Sequence, residues 1–206
     1  MMIKDIRAQW LAAGLRLYPK YGYHKLSVRL LAAETGMSSG MFHHIFVNKE
    51  EFVRELLNRQ RQHIFTGIVL EGAAFESPIA CLRQAAYSLA VNIRDHLPWV
   101  HRVFVDADNR VAVAEDFLQG HLFDITNVFL GLLNQCCVGT QAQQLQRLGF
   151  LCSSVMASMI LGTRLQDMGV LPDELAAHVP EMLSDEAIEQ RIEWAFQALF
   201  GQEATA

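Results

Sequence analysis

Proline, cysteine and long hydrophobic runs are all scarce in this chain of 206 residues. None of the five prolines falls between Tyr21 and Ser77, so a long N-terminal stretch lacks the residue that breaks helices most strongly. Strand-like alternation is also scarce, whereas apolar residues recur at spacings of three and four. These features predict an all-α fold.

The cysteines do not form a metal-binding pattern. Cys81, Cys136, Cys137 and Cys152 contain no CxxC pair, and no histidine stands at ligand spacing from them. We therefore predict no metal and no cofactor. In a reducing cytoplasm the four thiols are expected to act as small core side chains. A thiol sensor at Cys136 and Cys137 is the alternative.

The sequence also lacks the pattern of a leader peptide or a membrane span. Charged residues Lys4, Asp5 and Arg7 follow the start directly, on a stretch with amphipathic spacing. The apolar stretch from Leu148 to Thr163 is 16 residues long, short for a span, and contains several hydroxyl side chains. We expect a core or interface helix there and a cytoplasmic protein without a membrane partner.

Motifs of common enzyme classes are missing as well. The sequence has no G-x-S-x-G, no Walker loop, no Rossmann glycines and no HExxH. Histidines and aspartates are scattered without a recognisable constellation. We therefore predict no catalytic residues and no enzymatic activity.

Charge is divided unevenly along the chain. Residues 1–62 carry a formal charge of +5 and residues 63–206 a charge of −10, within a total of −5. A basic end on an acidic body confines attraction to phosphates to that end and favours one docking pose on a nucleic acid. The same division argues against a helical module that only binds protein.

The segment from Ser27 to Phe52 predicts two short helices joined by a tight turn, followed by a third helix. Ser27 is suited to cap a helix from Val28 to Glu34. The turn Thr35-Gly36-Met37 places glycine where a positive φ is usual, and Ser38 caps a helix reaching about Phe46. This arrangement presents one helix to the DNA major groove while another braces it.

Within this segment the apolar residues predict which side faces inward. Val28, Leu31 and Ala32 belong to the buried side of the second helix, and Met37, Phe42 and Phe46 anchor the third. The remaining polar, small or flexible residues are left to contact bases and phosphates. Asn48 and Glu51 form a variant capping box that places Lys49 at a helix start, as a phosphate clamp. The predicted DNA-binding residues are Ser27, Arg29, Ser38, Ser39, Gly40, Met41, His43, His44 and Lys49.

The residues GYHKLSVRLLAAETGMSSGMFHHIFVNKEEF, Gly22 to Phe52, resemble the N-terminal domain of the TetR family of transcriptional regulators. The resemblance covers roughly residues 3–62, with the helix-turn-helix at about 27–46. It implies an N-terminal three-helix DNA-binding domain, residues 3–62, followed by a larger helical effector-binding and dimerisation domain, residues 63–206. It also implies a homodimer on a near-palindromic operator of double-stranded DNA.

The chain departs from the family pattern on the reading face. The family often has a basic residue at position 39, Thr or Ala at 41, and tyrosines at 43 and 45, whereas this chain has Ser39, Met41, His43 and Ile45. His43 is then expected to replace a tyrosine that contacts phosphate. Since histidine gains charge near neutral pH, we expect DNA affinity to depend on pH.

The resemblance further implies a pocket for a small-molecule effector among the middle helices. Arg102 near Trp99 and Phe104 is suited to an acidic ligand, although it could instead pair with Asp106. Ordinary core packing is the alternative for every residue of this set. The predicted lining residues are Phe65, Tyr87, Trp99, Arg102, Phe104, Phe123, Asn127 and Met156.

The last two long helices are implied to pair with those of a second copy. Small residues between Cys152 and Gly162 would let helices approach closely, and the last helix spreads apolar residues beyond one stripe. A core within one chain is the alternative. The predicted interface residues are Ser154, Ala157, Ser158, Trp194, Phe196 and Phe200.

Together these features predict a homodimeric repressor that a small-molecule effector releases from its operator. An activator, or a regulator of the same type that needs no ligand, would use the same parts.

Pro19 is expected to end or strain the first helix, predicted from about Ile3 to Tyr18. Residues Trp99 to Asp106 are expected to form only a short segment.

Overall fold

The computed structural model describes residues 3–66 and 77–201, and all regular structure within them is helical. The predicted all-α fold is therefore confirmed. The helices are α1 Ile3–Lys25, α2 Val28–Thr35, α3 Ser39–Ile45, α4 Lys49–Thr66, α5 Pro78–Asp95, α6 Leu97–Asp108, α7 Ala112–Cys136, α8 Gln141–Cys152, a π-helical turn Ser153–Ala157, α9 Ser158–Asp167, α10 Asp173–Ala176, α11 Val179–Met182 and α12 Asp185–Phe200.

The first helix is longer than the sequence predicted. It continues through Pro19 to Lys25, and its break lies at Gly22, with φ 65° and ψ 179°. Burial explains why one missing hydrogen bond does not end it. Leu17 and Tyr18 are buried, and the Tyr18 ring stacks on Trp99 at a centroid distance of 4.9 Å. Trp99 lies on α6, so the expected short segment is a helix of 12 residues.

The first compact unit combines residues up to 63 with residues 98–121. The predicted division after residue 62 follows the chain, whereas this unit is discontinuous, because α6 and the first part of α7 pack with the N-terminal helices. Its core is built mainly from aromatic and branched side chains. The largest of them are Trp10, Leu11, Tyr18, Phe42, Phe46, Phe52, Leu56, Leu57, Trp99 and Val103.

The second compact unit combines residues 64–97 with residues from 122 onward. Helices α5, α8, the π-helical turn and α12 surround its core. Ion pairs join α5 to α12 at its rim, with Arg83 donating to Glu193 at 2.7 Å and Arg94 pairing with Asp185. The buried core residues are Leu82, Ala85, Leu89, Phe129, Leu133, Leu151, Val155, Met159, Ile188, Ile192 and Phe196.

One helical stretch among the described residues, Gln141–Asp167, is long and apolar enough to cross a membrane by length and composition alone. Core helices of other proteins pass the same test. Here Leu151, Val155 and Met159 are fully buried in the core of the second unit. The prediction of a core or interface helix is consistent with this packing.

A histidine at the end of the first unit is expected to make its stability depend on pH. Burial, with a smaller contribution from the charge of Arg61, lowers the pKa of His121 from 6.5 to about 4. The unfolded chain binds this proton near pH 6.5 and the folded unit only near pH 4, so stability is lost as pH falls through that window. The loss approaches about 1.4 kcal/mol per pH unit.

Chemical denaturation between about pH 7.5 and pH 4.5 measures this loss. Because other groups titrate in the same range, the comparison is with His121→Gln, which should show a shallower decline with falling pH. Parallel declines in the two proteins would contradict the assignment to His121.

Candidate nucleic-acid interface

Helix α3 is held in place by buried aromatic side chains. Phe42 is fully buried and Phe46 nearly so, and both pack at the edge of Phe52, with centroid distances of 5.4 and 4.9 Å. Trp10 of α1 meets Phe42 edge-on at 5.4 Å. Of the residues predicted to anchor α3, Phe42 and Phe46 are therefore buried and Met37 is half-buried, and together they fix which face of α3 points outward.

Arg7 adds a polar anchor that the sequence did not predict. Its Nη1 donates to the carbonyl of Ile45 at 2.8 Å, at the last turn of α3, and its guanidinium lies 4.4 Å from the centre of the Phe46 ring. It also pairs with Glu55 and Glu51 of α4. One cation thus joins α1, α3 and α4. Only contacts between residues about 40 positions apart identify this role.

The outward face of α3 carries the predicted base-reading residues. Met41, His43 and His44 are exposed, and Ser39 is half-buried. A Cβ added to Gly40 would meet only Ser38 Oγ, at 3.8 Å. The fold therefore does not require glycine at position 40, and its lack of a side chain matters for whatever approaches from outside.

The cap residues beside this face keep a donor available. Ser27 Oγ accepts from the Leu30 amide at 3.1 Å, and Ser38 Oγ accepts from the Met41 amide at 3.3 Å. Each hydroxyl still carries its own proton, which can be donated to a phosphate. Arg29 is exposed beside Ser27. Lys25, two residues before this cap, is also exposed.

Lys49 makes contacts within the chain that the sequence did not predict. Its Nζ donates to the carbonyl of Tyr23 at 2.9 Å and lies 4.3 Å from the centre of the Tyr23 ring. Burial lowers its pKa. The ammonium therefore fixes the end of α1 to the start of α4, and only its remaining N–H donors are free for a phosphate.

Helix α6 caps the chain on both sides of the Gly22 break. Arg102 Nε donates to the carbonyl of Pro19 at 3.2 Å, and Asp106 Oδ2 accepts from the amide of Tyr23 at 2.8 Å. The break leaves these backbone groups without helical partners, and α6 supplies them. We call Arg102, Asp106 and Gly22 the α6 clasp.

Two residues of the predicted effector pocket make contacts within the first unit. Arg102 and Trp99 serve the first unit, where the aromatic partner of Trp99 is Tyr18. Phe104, Phe123 and Asn127 are exposed, the first two at 49% and 66%. Trp99, Arg102 and Phe104 belong to the first unit, and Phe123 and Asn127 belong to the second.

The other predicted lining residues are distributed differently. Tyr87 is half-buried and Met156 buried, and both belong to the core of the second unit. The side chain of Phe65 lies outside the described residues. Among the residues that the structure describes, no group of three or more His, Cys, Asp or Glu side chains is arranged to hold a metal ion.

The predicted interface residues differ in how exposed they are. Ala157 and Trp194 are exposed, and Ser154, Ser158 and Phe200 are half-buried. Phe196 is fully buried in the core of its own unit beneath Arg83, whose guanidinium lies 4.8 Å from the ring centre. Phe196 therefore has no surface to offer a partner, because its position on α12 faces α5.

Residues 11–56 match the model of a known family, described as bacterial regulatory proteins, tetR family. The N-terminal domain of this chain is therefore of the tetR type. The match includes α2, the Gly36 turn and α3, which together form the helix-turn-helix. The chain is accordingly a DNA-binding transcriptional regulator. Comparison with curated protein sequences gives no significant match.

Solved structures extend the likeness of fold to the whole chain. A transcriptional regulator from Rhodococcus sp. Rha1 is 20% identical, with a TM-score of 0.66 over 93% of this chain and 96% of that one. A TetR-family regulator from Streptomyces coelicolor is 18% identical, with a TM-score of 0.66 over 95% and 96%. A putative regulator from Saccharomonospora viridis, in complex with choline, is 15% identical, with a TM-score of 0.68 over 94% and 96%.

Proposed function

We propose that this chain is a homodimeric repressor of the TetR family that a small-molecule effector releases from a near-palindromic operator. The observation that carries the proposal is the outward face of α3. Met41, His43 and His44 are exposed on a helix whose opposite side is buried aromatic packing. Such a face can enter the major groove without any rearrangement of the N-terminal helices.

The proposed contacts divide into reading and positioning groups. Met41 offers an apolar contact to a thymine methyl, and Ser39 or His44 can hydrogen-bond to base edges. The hydroxyls of Ser27 and Ser38, the guanidinium of Arg29 and the free donors of Lys49 contact phosphates. Lys25 joins this second group because it is exposed next to the α2 cap.

The exposed His43 is proposed to donate to a phosphate from its ring N–H. His43→Ala should therefore weaken operator binding by about threefold to tenfold. Fluorescence anisotropy with a labelled operator measures this, and an unchanged affinity in that variant would contradict the role.

A second copy of the chain is proposed to cover the exposed apolar face of the C-terminal helices. Within the stretch Gln141–Asp167, only 28% of the most apolar segment of 18 residues is buried. Leu161 and Trp194 are exposed at 57% and 62%. Ala157 lies one turn from Leu161 and lets another helix approach closely. Dimerisation would remove this apolar surface from water.

Trp194→Glu is expected to weaken the dimer by at least tenfold, because it places a charge in the centre of the proposed interface. Sedimentation velocity over a concentration series measures the dissociation constant. Leu175→Glu is the matched control, since Leu175 is also 57% exposed but lies on α10. Equal dissociation constants for wild type and Trp194→Glu would place the interface elsewhere.

Release by an effector is proposed to act through α4. This helix runs without interruption from Lys49, which follows α3 closely along the chain, to Thr66. A ligand that shifted its C-terminal end would change the spacing of the two reading helices and lower operator affinity. The choline complex of the Saccharomonospora viridis regulator shows a bound small molecule in a protein of similar fold.

A thiol sensor is the weaker alternative. Burial, together with the neighbouring Cys137 and Cys81, raises the pKa of Cys136 to about 11. A thiol with a raised pKa holds little thiolate at neutral pH, and the thiolate is the reactive form. We therefore favour a ligand over an oxidant as the signal, and we place the regulator in the cytoplasm with its DNA.

Transcription in a purified system separates repressor from activator. The operator is first obtained by selecting bound DNA from a random pool, and it should contain an inverted repeat with half-sites about 34–36 Å apart. A promoter carrying it should lose transcripts when the protein is added. A gain of transcripts would instead identify an activator, and no change would contradict both roles.

A further inference from the structure

Helix α3 is too short to hold its own direction. It has seven residues, which make about two turns, and helices of this length are marginal in water without tertiary contacts. Ser38 caps its N-terminal end through the amide of Met41. Its C-terminal end lacks a left-handed cap residue, because Phe46 is extended, with φ −121° and ψ 133°. The direction of α3 at that end therefore depends on contacts from other helices.

Two charged side chains bind the backbone where it leaves α3. Arg7 Nη1 donates to the carbonyl of Ile45 at 2.8 Å, and Glu51 Oε2 accepts from the amide of Val47 at 2.6 Å. A carbonyl of the last helical turn and the amide two residues later thus both have a charged partner. Because Arg7 belongs to α1 and Glu51 to α4, two other helices hold this end of α3.

The same side chains also bind each other. Arg7 Nη2 lies 3.4 Å from Glu51 Oε1, and Arg7 Nε donates to Glu55 Oε2 at 2.9 Å. Glu55 in turn pairs with Arg59 at 3.3 Å. We call Arg7, Glu51 and Glu55 the Arg7 network. Each member constrains the others, so the loss of one should loosen the end of α3.

The Arg7 network contributes direction more than stability. The rings of Phe42 and Phe46 already bury the inner face of α3. The side chains of the network are between 26% and 40% exposed, so water can solvate them when a partner is removed, and such ion pairs add little to stability. His43 and His44 lie on the last turn, directly before the carbonyl of Ile45. A change of direction there would move exposed side chains of α3 without unfolding it.

We propose that Arg7 and Glu51 are positioning residues for sequence recognition, because they fix the angle at which α3 presents its outward face to the base edges. Base readout requires side chains placed to within about 0.5 Å, whereas attraction to phosphates does not depend on such placement. The network should therefore increase discrimination between the operator and other DNA. This inference rests on the proposed reading face and adds two residues that act on it through α3.

Anisotropy titrations of the full chain with the selected operator and a scrambled duplex test this inference. Arg7→Met keeps an unbranched apolar stem beside Phe46 but removes the guanidinium. The ratio of operator affinity to scrambled-duplex affinity should fall by about tenfold. Arg16→Met is the matched control, since Arg16 also lies on α1 and pairs with Glu34 of α2 at 2.9 Å. This control removes the same charge and should leave the ratio unchanged.

Variants at position 51 test the network independently. Glu51→Gln keeps an oxygen that can accept from the Val47 amide, so its ratio should stay within about threefold of wild type. Glu51→Ala removes that acceptor and should lower the ratio by about tenfold. In the double variant with Arg7→Met the loss should remain about tenfold, because the two residues act through one set of contacts, whereas independent sites would give about a hundredfold.

Three results would overturn the inference. The ratio could be unchanged in Arg7→Met, or Arg16→Met could lower it equally, which would assign the effect to charge alone. The third is an equal ratio in Glu51→Gln and Glu51→Ala, and this comparison decides if Arg7→Met is unfolded at the assay temperature. A wild-type chain that binds both duplexes equally would count against the proposed function instead, so the two failures are distinguishable.

Discussion

Replacing Gly22 with alanine is expected to destabilise the DNA-binding unit by about 3 kcal/mol or more. Gly22 has φ 65° and ψ 179°, a conformation that side-chain-bearing residues rarely adopt. An added Cβ would also lie 2.6 Å from Arg102 Cδ and 2.8 Å from Asp106 Oδ1. Relieving these contacts means moving the two side chains of the α6 clasp away from the backbone groups that they cap.

Gly36→Ala is the matched control for this prediction. Gly36 also has a positive φ, 70°, but an added Cβ there meets nothing within 4 Å. Gly36→Ala should therefore lower the free energy of unfolding only by the conformational strain, about 1–2 kcal/mol. Chemical denaturation followed by tryptophan fluorescence measures both variants. Equal losses at the two positions would show that the clasp contributes nothing beyond the glycine conformation.

Phe42→Ala is expected to have the second large effect, a loss of about 3–5 kcal/mol of stability. The ring is fully buried and touches Trp10, Phe46 and Phe52 at centroid distances of 5.1–5.4 Å. Its removal leaves a cavity under α3, so operator binding should fall together with folding. Urea unfolding and anisotropy on the same preparation measure the two effects.

The neighbouring Met41→Ala should behave in the opposite way. Met41 is 36% exposed on the reading face, so stability should change by less than about 0.5 kcal/mol. Affinity for the operator should still fall by about tenfold if a thymine methyl contacts this side chain. A stability loss at position 41 as large as that at position 42 would mean that the two faces of α3 are wrongly assigned.

Much of the DNA-binding domain could be predicted from sequence because its main features depend on residues that are close together in the chain. The caps at Ser27 and Ser38 and the positive φ of Gly36 depend on residues within four positions of one another. The burial of Phe42 and Phe46 follows from helical spacing. These features need no knowledge of the rest of the fold.

The clasp and the Arg7 anchor could not be predicted because they depend on long-range contacts. Arg102 and Asp106 meet the Gly22 break across about 83 positions, and the sequence pattern instead placed Arg102 in a pocket. Likewise the apolar pattern of α12 did not reveal that Phe196 faces its own core while Trp194 faces outward. A helix with apolar residues on two sides leaves that choice to tertiary packing.

The most direct test of the central claim compares affinity for the selected operator with affinity for a scrambled duplex across a salt series. We expect the operator to bind at least a thousandfold more tightly at physiological salt. Binding to the scrambled duplex should weaken steeply as salt rises, since it depends on phosphate contacts. Equal affinities for the two duplexes, with little dependence on salt, would contradict a sequence-reading face on α3.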